Sequence, residues 1–406
     1  MVKKIQVICL FLSALMMLSG CEVSQQKQPQ DQLQEEAAQE SQSQENPQNV
    51  MDDILSQLPD ENKKKPPFYD TMEIKEGHFI FSLSTAQDLH DLSQWVSEGE
   101  STKNAVFVLK NDIDLQNEPF NPIGDKEHPF LGVFLGQGCQ VINLNVQSKA
   151  KSAPAGFFGC MGGGATAEGL RVSGTVNGNN TAGGFVGLID NRLTEQESDR
   201  QVTVRFCSFT GTVNGTEETG GFVGSAKQGA TIESCFSETA VSAAQSLGGF
   251  VGSVEKNAQV FNCYNLGEVC AVSEGTGEEQ VGIGGFVGTN RGDVFSSYCA
   301  AQVKSERSAR GIGGFVGNEG GGDYQCFYLL ENNEQWNDSV LTEEQAILSA
   351  KGLTDSQMRS QDSFSNWNFF NAWKMLPGEY PTLKEYQPTD VQTYIEKNIV
   401  NPLQGG

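Results

Sequence analysis

The strongest constraint on this chain is a short motif that returns in phase. Ala155-Gly156-Phe157-Phe158-Gly159 is followed by five copies of Gly-Gly-Phe-Val-Gly. Their glycines and phenylalanines are Gly183, Gly184, Phe185 and Gly187; Gly220, Gly221, Phe222 and Gly224; Gly248, Gly249, Phe250 and Gly252; Gly284, Gly285, Phe286 and Gly288; and Gly313, Gly314, Phe315 and Gly317. From Phe157 onward the spacings are 28, 37, 28, 36 and 29 residues, a base period of about 28 with two insertions. A unit this short cannot bury a face alone, so the repeat points to an architecture built by stacking.

A second feature repeats in the same phase. Cys207, Cys235, Cys263 and Cys326 occupy one slot per unit, and Ser297 takes that slot in the penultimate unit. Short alternating segments follow, such as Thr212-Val213, Ala240-Val241 and Glu268-Val269, punctuated by Gly and Asn. The expected fold class is all-β: a parallel β-helix-like solenoid. Its Phe and Cys columns run inside at the inter-strand rise of roughly 4.8 Å. A secreted chain with eight cysteines beyond Cys21 invites a disulfide reading. Neighbouring slots in a column give parallel Cβ vectors that suit that bond poorly, so buried thiols are expected.

The segment Gly248–Gly252 through Phe261-Asn262-Cys263-Tyr264 and Val269 resembles the GLUG-motif repeat. The lead-in Asn111–Leu115, Phe120–Gly124 and Pro129–Phe134 is similar to the lead-in common to such proteins. So is the terminator Phe364–Phe369, Trp373 and Tyr380–Leu383. The likeness covers about residues 80–386. The first unit departs from it, lacking Asn-Cys-Tyr, and so does Ser297. Such repeats occur in bacterial surface proteins, adhesin-like proteins and non-catalytic regions of IgA-specific metallopeptidases. The resemblance implies a parallel β-helix-like solenoid with an extracytoplasmic interaction role, and it names no ligand.

The N-terminus supplies an address. Lys3 and Lys4 precede an apolar run of 14 residues, Ile5–Leu18, which is too short to span a bilayer unaided. Leu18-Ser19-Gly20-Cys21 resembles the bacterial lipobox. That likeness implies a signal peptide over residues 1–20 and lipidation of Cys21, with two or three acyl chains as the membrane anchor. Residues 21–66 are rich in Gln, Glu, Ser and Pro and read as a disordered tether, with a short helix possible near Asp52–Leu58. As a flexible coil it would span roughly 35–40 Å.

Solenoid ends need lids against edge pairing. Ser84 or Thr85 can cap a helix running to about Gly99, with Leu89, Leu92, Trp95 and Val96 on one face. This gives an N-terminal helical cap and first rung over residues 67–135, ahead of repeats at 136–330. A C-terminal cap is expected over 331–388. It comprises a helix at Thr342–Ala350, a Thr354/Gln357 capping box, and Trp367, Phe369, Phe370 and Trp373 over the last rung. Residues 389–406 form a tail with no evident partner.

Composition limits the chemistry. The formal charge is −24, so the chain has no electrostatic reason to bind nucleic acid. Three His residues and no Cys-x-x-Cys leave neither a metal site nor a cofactor site in view. His-Glu-x-x-His and Gly-x-Ser-x-Gly are both missing from the sequence. Asp112, Asp114, Asp125 and Glu127 are the carboxylates a polysaccharide-cleaving or calcium site would have to use, against a reading as turns. Arg291-Gly292-Asp293 is an integrin-type tripeptide that the repeat's own turn also explains. The insertions Arg192–Gln201 and Ser273–Gln280 are the best places for a binding loop.

Together these features lead us to expect a lipid-anchored, extracytoplasmic solenoid at the cell surface. It would act as a non-catalytic adhesin or ligand-binding protein for a glycan or protein. The alternatives are a scaffold in an envelope complex and, further off, a carbohydrate-active β-helix enzyme.

Overall fold

A computed structural model describes residues 67–148, 150–193, 201–272, 282–305, 311–333 and 350–400, the side chain of Val400 excepted. Cys21, the leader, the tether and the helix expected at Thr342–Ala350 lie outside the described residues, apart from Ala350 itself.

The chain is a parallel β-solenoid, and each turn passes through four sheets. Sheet 1 holds Val186–Ile189, Val223–Ala226, Val251–Val254, Val287–Asn290 and Val316–Glu319, preceded by Phe158–Met161. Sheet 2 follows with Val202–Arg205, Ala230–Glu233, Gln259–Phe261, Asp293–Phe295 and Gly322–Tyr324. Sheet 3 carries Ser208–Asn214, Phe236–Ala243, Tyr264–Asn265 and their successors. Sheet 4 carries Thr181–Gly183, Glu218–Gly220, Leu247–Gly248, Ile283–Gly284 and Ile312–Gly313. The repeats stack in register: Gly183 pairs with Gly220, Gly220 with Gly248, Gly248 with Gly284 and Gly284 with Gly313.

The motif's composition follows from this stacking. Phe185, Phe222, Phe250, Phe286 and Phe315 point inward as one column, with centroids 4.7–5.0 Å apart and interplanar angles of 8–17°. The glycines let the backbones approach. A Cβ on Gly249 would lie 2.0 Å from Asn265 Nδ2 and 2.2 Å from the Gly285 carbonyl. The insertion between Phe185 and Phe222 leaves that ring spacing at 5.0 Å, so the stack of rungs is uninterrupted there.

The corner between sheets 2 and 3 explains the cysteines. One residue per rung turns left-handed there: Phe206, Ser234, Asn262, Ser296 and Gln325, with φ of 44–57°. This is the conformation in which Asn and Gly are least strained. The next residue is the slot Cys, and its backbone N–H falls outside the strand ladder. The thiol one rung on satisfies it. Cys207 N donates to Cys235 Sγ at 3.4 Å, and Cys235 N to Cys263 Sγ at 3.4 Å. Each thiol donates in turn to a carbonyl two residues back, Arg205 O at 3.2 Å and Glu233 O at 3.1 Å. Ser297 makes the same pair of bonds, accepting from Cys263 N at 3.0 Å and donating to Phe295 O at 2.8 Å. Leu170, fully buried, fills the slot in the first unit, after Gly169 at the corner. All eight described cysteines are free thiols.

The N-terminal lid forms as its sequence predicts. The helix Ala86–Ser97 (α1) starts at Thr85, whose side chain and that of Asp88 make a reciprocal capping box. Trp95 and Phe68 pack edge-on against Phe81 and Phe107, at the foot of the solenoid interior. Parallel pairing already begins with His78–Leu83 on Ala105–Leu109, so the helix is an excursion within the first turn.

The C-terminal segment departs from the expectation of an end lid. The Thr354/Gln357 capping box forms and starts the short helix Asp355–Met358 (α2). The aromatics beyond it lie along the outer face of sheet 3. Phe236, Tyr264, Tyr298 and Phe327 are paired rung to rung and point outward there. Trp367, Trp373 and Phe364 cover this row, and Trp373 is fully buried. Its indole donates to Asn262 Oδ1 at 3.1 Å, and Tyr298 Oη donates to the Pro381 carbonyl at 2.8 Å. The segment then runs back towards the first rungs as a strap. Tyr386 lies on Gly169, where a Cβ would be 2.3 Å from its ring. The supposed tail is also docked. The helix Val391–Ile395 (α3), capped by Asp390, buries Tyr394 and Ile395 against Ile80, Val106, Val108 and Leu135 on sheet 2.

Candidate functional site

Two clefts open where the strap meets the solenoid. The larger lies on sheet 2 and has a volume of about 720 Å³. Its floor includes Val133, Thr166 and Thr203, which are register partners on three successive strands. Tyr394, Asn398 and Ile399 form one wall. The opposite rim comprises His78, Lys103 and Asn104 together with Gly163, Gly164 and Gln201.

An ionic cluster joins wall to floor. Arg205 Nε donates to Glu168 Oε2 at 2.6 Å, and Arg205 Nη2 donates to Asn398 Oδ1 at 3.2 Å. The guanidinium also sits 5.9 Å from the Tyr394 ring centroid. Glu168 is only 4% exposed and accepts a second bond from Tyr386 Oη at 3.0 Å. This pairing is what makes its burial tolerable. Burial pushes the Tyr394 hydroxyl up to about 12 and the Tyr386 hydroxyl higher still, so both stay protonated donors at neutral pH. Burial likewise raises the Glu233 carboxyl, against the opposing pull of Arg205.

The smaller cleft, about 500 Å³, lies on sheet 3 beneath Leu383–Tyr386. Phe206, Phe236, Tyr264 and Arg171 line it with Ser208 and Ser234. Its aromatic rings stack mainly on one another: Phe236 on Tyr264 at 4.9 Å and 3°, and Phe206 against Tyr386 at 5.5 Å. They therefore offer edges rather than open faces to a visitor.

Other residues singled out in the sequence have structural jobs. Asp112 accepts from the backbone and side chain of Gln140, and Asp114 from Gln116 N and Asn143 Nδ2. Those hydrogen bonds, Asn143's first, hold the Asp114 carboxyl below its usual range. Asp125 accepts from the backbone of Glu127 and His128, a turn of its own. These carboxylates are not brought together, and among the described residues no group of three or more His, Cys, Asp or Glu converges. Arg291 is bound to Glu255 at 2.6 Å, Gly292 is packed into a corner, and Asp293 lies in a sheet 2 strand. Burial pushes the Cys207, Cys235 and Cys326 thiols well up, and Cys299 up to about 12. Thiols held protonated in this way are poor nucleophiles.

Most of insertion 192–201, and the whole of 273–280, lie outside the described residues. The described ends of the first are informative. Arg192 grips Asp190 through two bonds of 3.0 Å, and Gln201 emerges on the rim of the large cleft. The cleft itself is not visible in the repeat pattern, because one wall comes from α3. The available signal was the spacing of Val391, Tyr394, Ile395 and Ile399 behind an Asp390 cap, an amphipathic helix looking for a surface. No protein-family model and no curated protein matches the chain, so its reading rests on this geometry.

Proposed function

We propose that this chain is a lipid-anchored, extracytoplasmic GLUG-type repeat protein that binds a ligand at the cell surface without chemistry, as an adhesin does. The supporting observation is the sheet 2 cleft. It is a groove on a stiff scaffold, walled on one side by Tyr394, Asn398 and Ile399 and lined by hydroxyl, amide and cationic side chains. Ligand sites of this size commonly lie where two structural parts meet. Attachment through Cys21 and a tether over residues 21–66 would let such a body stand clear of the membrane.

A row of outward aromatics on sheet 2, Phe261, Phe295 and Tyr324, gives weight to a second reading as an envelope scaffold. All three are half-buried, and Phe295 stacks on Tyr324 at 4.8 Å. Protease shaving of intact cells with mass spectrometry separates the two. Released peptides from 188–201 and 273–282 are expected if the protein is displayed outward. Release only after envelope permeabilisation would favour the scaffold. Cys21→Ala is expected to abolish membrane partition, and unchanged partition would remove the lipid anchor from the proposal.

A further inference from the structure

The lining of the sheet 2 cleft is out of keeping with the rest of the molecule. The chain carries 51 Asp and Glu against 27 Lys and Arg, yet no carboxylate among the described residues lines the cleft. Its ionisable side chains among those residues, apart from Tyr394, are Lys103, Arg205 and His78. Glu168, the carboxylate of the ionic cluster, is engaged by Arg205 and Tyr386. The Lys103 ammonium has no ion-pair partner among the described residues. Arg205 also lines the cleft, its guanidinium held in place by Glu168 and Asn398. His78 Nδ1 donates to the Glu76 carbonyl at 2.8 Å, which leaves Nε2 on the open side of the ring.

Neutral polar groups fill the space between these side chains. Thr203 Oγ1 has no partner among the described residues. Gln201 accepts from Thr231 Oγ1 at 2.7 Å through Oε1, leaving its amide NH₂ to donate. Val133, Leu131 and Ile399 add small apolar patches. Directional donors and acceptors interleaved with short apolar patches suit a polyhydroxylated ring, and the charge selects its sign. Beyond about 10 Å the chain's net negative charge is screened at 0.1 M salt, so the local cations decide what is held.

We infer that the sheet 2 cleft is a binding site for an anionic saccharide, its charge carried by a carboxylate or a phosphate ester. Lys103 and the anchored guanidinium of Arg205 meet the anion, and Thr203 and Gln201 meet ring hydroxyls. This rests on the ligand-binding reading above and specifies its ligand class and site.

Calorimetric titration of the full chain in detergent tests it. Trigalacturonate and a chondroitin tetrasaccharide are the carboxylate probes, galactose 6-phosphate is the phosphate probe, and maltotriose is the neutral control. At least one anionic probe is expected to bind saturably while maltotriose does not. Preference for the uronates or for galactose 6-phosphate identifies which anion the site takes. Lys103→Gln should weaken binding at least tenfold without moving the melting temperature, and Thr203→Val should weaken it a few-fold. Lys304→Gln, which removes an exposed cation paired with Glu268 on sheet 3, should leave binding unchanged. No binding by any anionic probe at millimolar concentration, or equal loss with Lys103→Gln and Lys304→Gln, would overturn the site. The surface-display reading has its own test in protease shaving. An inward location there would remove that reading while leaving the titration result standing.

Discussion

The inside and the outside of this solenoid follow different rules. Inside, each rung repeats the last. The Phe column keeps its 4.7–5.0 Å spacing across both insertions, and the corner slot accepts Cys, Ser or Leu without altering the stack. Outside, successive strands of sheet 2 carry unrelated chemistry in the same register column. Val108 and Leu135 lie under α3, Glu168 and Arg205 form an ion pair, and Phe295 and Tyr324 stack half-exposed. The interior is under one packing constraint repeated many times. The exterior has no such constraint, so each rung's outer face is free to carry its own function.

The largest test concerns stability that resides outside the repeats. Trp373 is buried between the strap and the outward row Tyr264–Tyr298, and its indole N–H is bonded to Asn262 Oδ1. Trp373→Ala is expected to cost about 3–5 kcal/mol. Thermal unfolding should show the loss, and limited proteolysis should cut first within 360–388. A loss below about 1 kcal/mol would mean the strap is an ornament on a self-sufficient solenoid, and the contrast drawn above would be sharper still.

The corner slot comes next. Cys235→Ala removes the acceptor of the Cys207 N–H, and an unmet buried donor costs about 1–3 kcal/mol. Cys235→Ser should cost clearly less, because Ser297 already makes the equivalent two bonds in its own rung. Chemical denaturation of the pair measures the difference. Equal losses would show that the column is held by sulfur packing and not by its hydrogen bonds.

The interior breaks its own pattern at Asp323, which gives a pH test. Asp323 occupies the column filled by Val204, Ile232, Val260 and Val294 in earlier rungs. It is 2% exposed, and Asn290 Nδ2 donates to it at 2.9 Å. Burial, with Glu319 close by, pushes its carboxyl well above the ordinary Asp range. The folded state therefore holds this proton more tightly than the unfolded state. The contribution is fully present below the unfolded value near pH 3.9 and is lost as pH rises through the folded value. Asp323→Asn should raise the melting temperature by a few degrees at neutral pH, with the gain vanishing below about pH 4. A gain independent of pH would show that the carboxylate's charge is not what strains this rung.

What could be read from the sequence follows the same division. Phase alone located the Phe column, the slot cysteines and the sheet register, because 28-residue recurrence maps directly onto stacking. The α1 cap was legible from Thr85 and its four apolar followers. Leu170 was hidden because Gly169 and Leu170 replace both the corner residue and the Cys at once. The strap was hidden for a different reason. Tyr386 meets Glu168 across 218 positions, and Tyr394 meets Ile80 across a larger span, with no period linking either pair. The cleft, built from one periodic face and one aperiodic wall, was only half visible, through the insertion that ends at Gln201.

The smallest effect is expected where the exterior is uncovered. Tyr298 on sheet 3 and Phe295 on sheet 2 are three residues apart, and both point outward from the same rung. Tyr298 is sealed by Trp367 and Trp373, whereas Phe295 is half-buried and rests on Tyr324. Phe295→Ala should cost about 1 kcal/mol, the worth of one aromatic stack. Tyr298→Ala should fall in the range expected for Trp373→Ala. Equal losses at the two positions would mean that the sheet 2 row is covered in the full-length protein. A small loss at Phe295 together with weakened co-purification of envelope proteins would instead mark Phe261, Phe295 and Tyr324 as a partner's footing, separate from the cationic cleft on the same sheet.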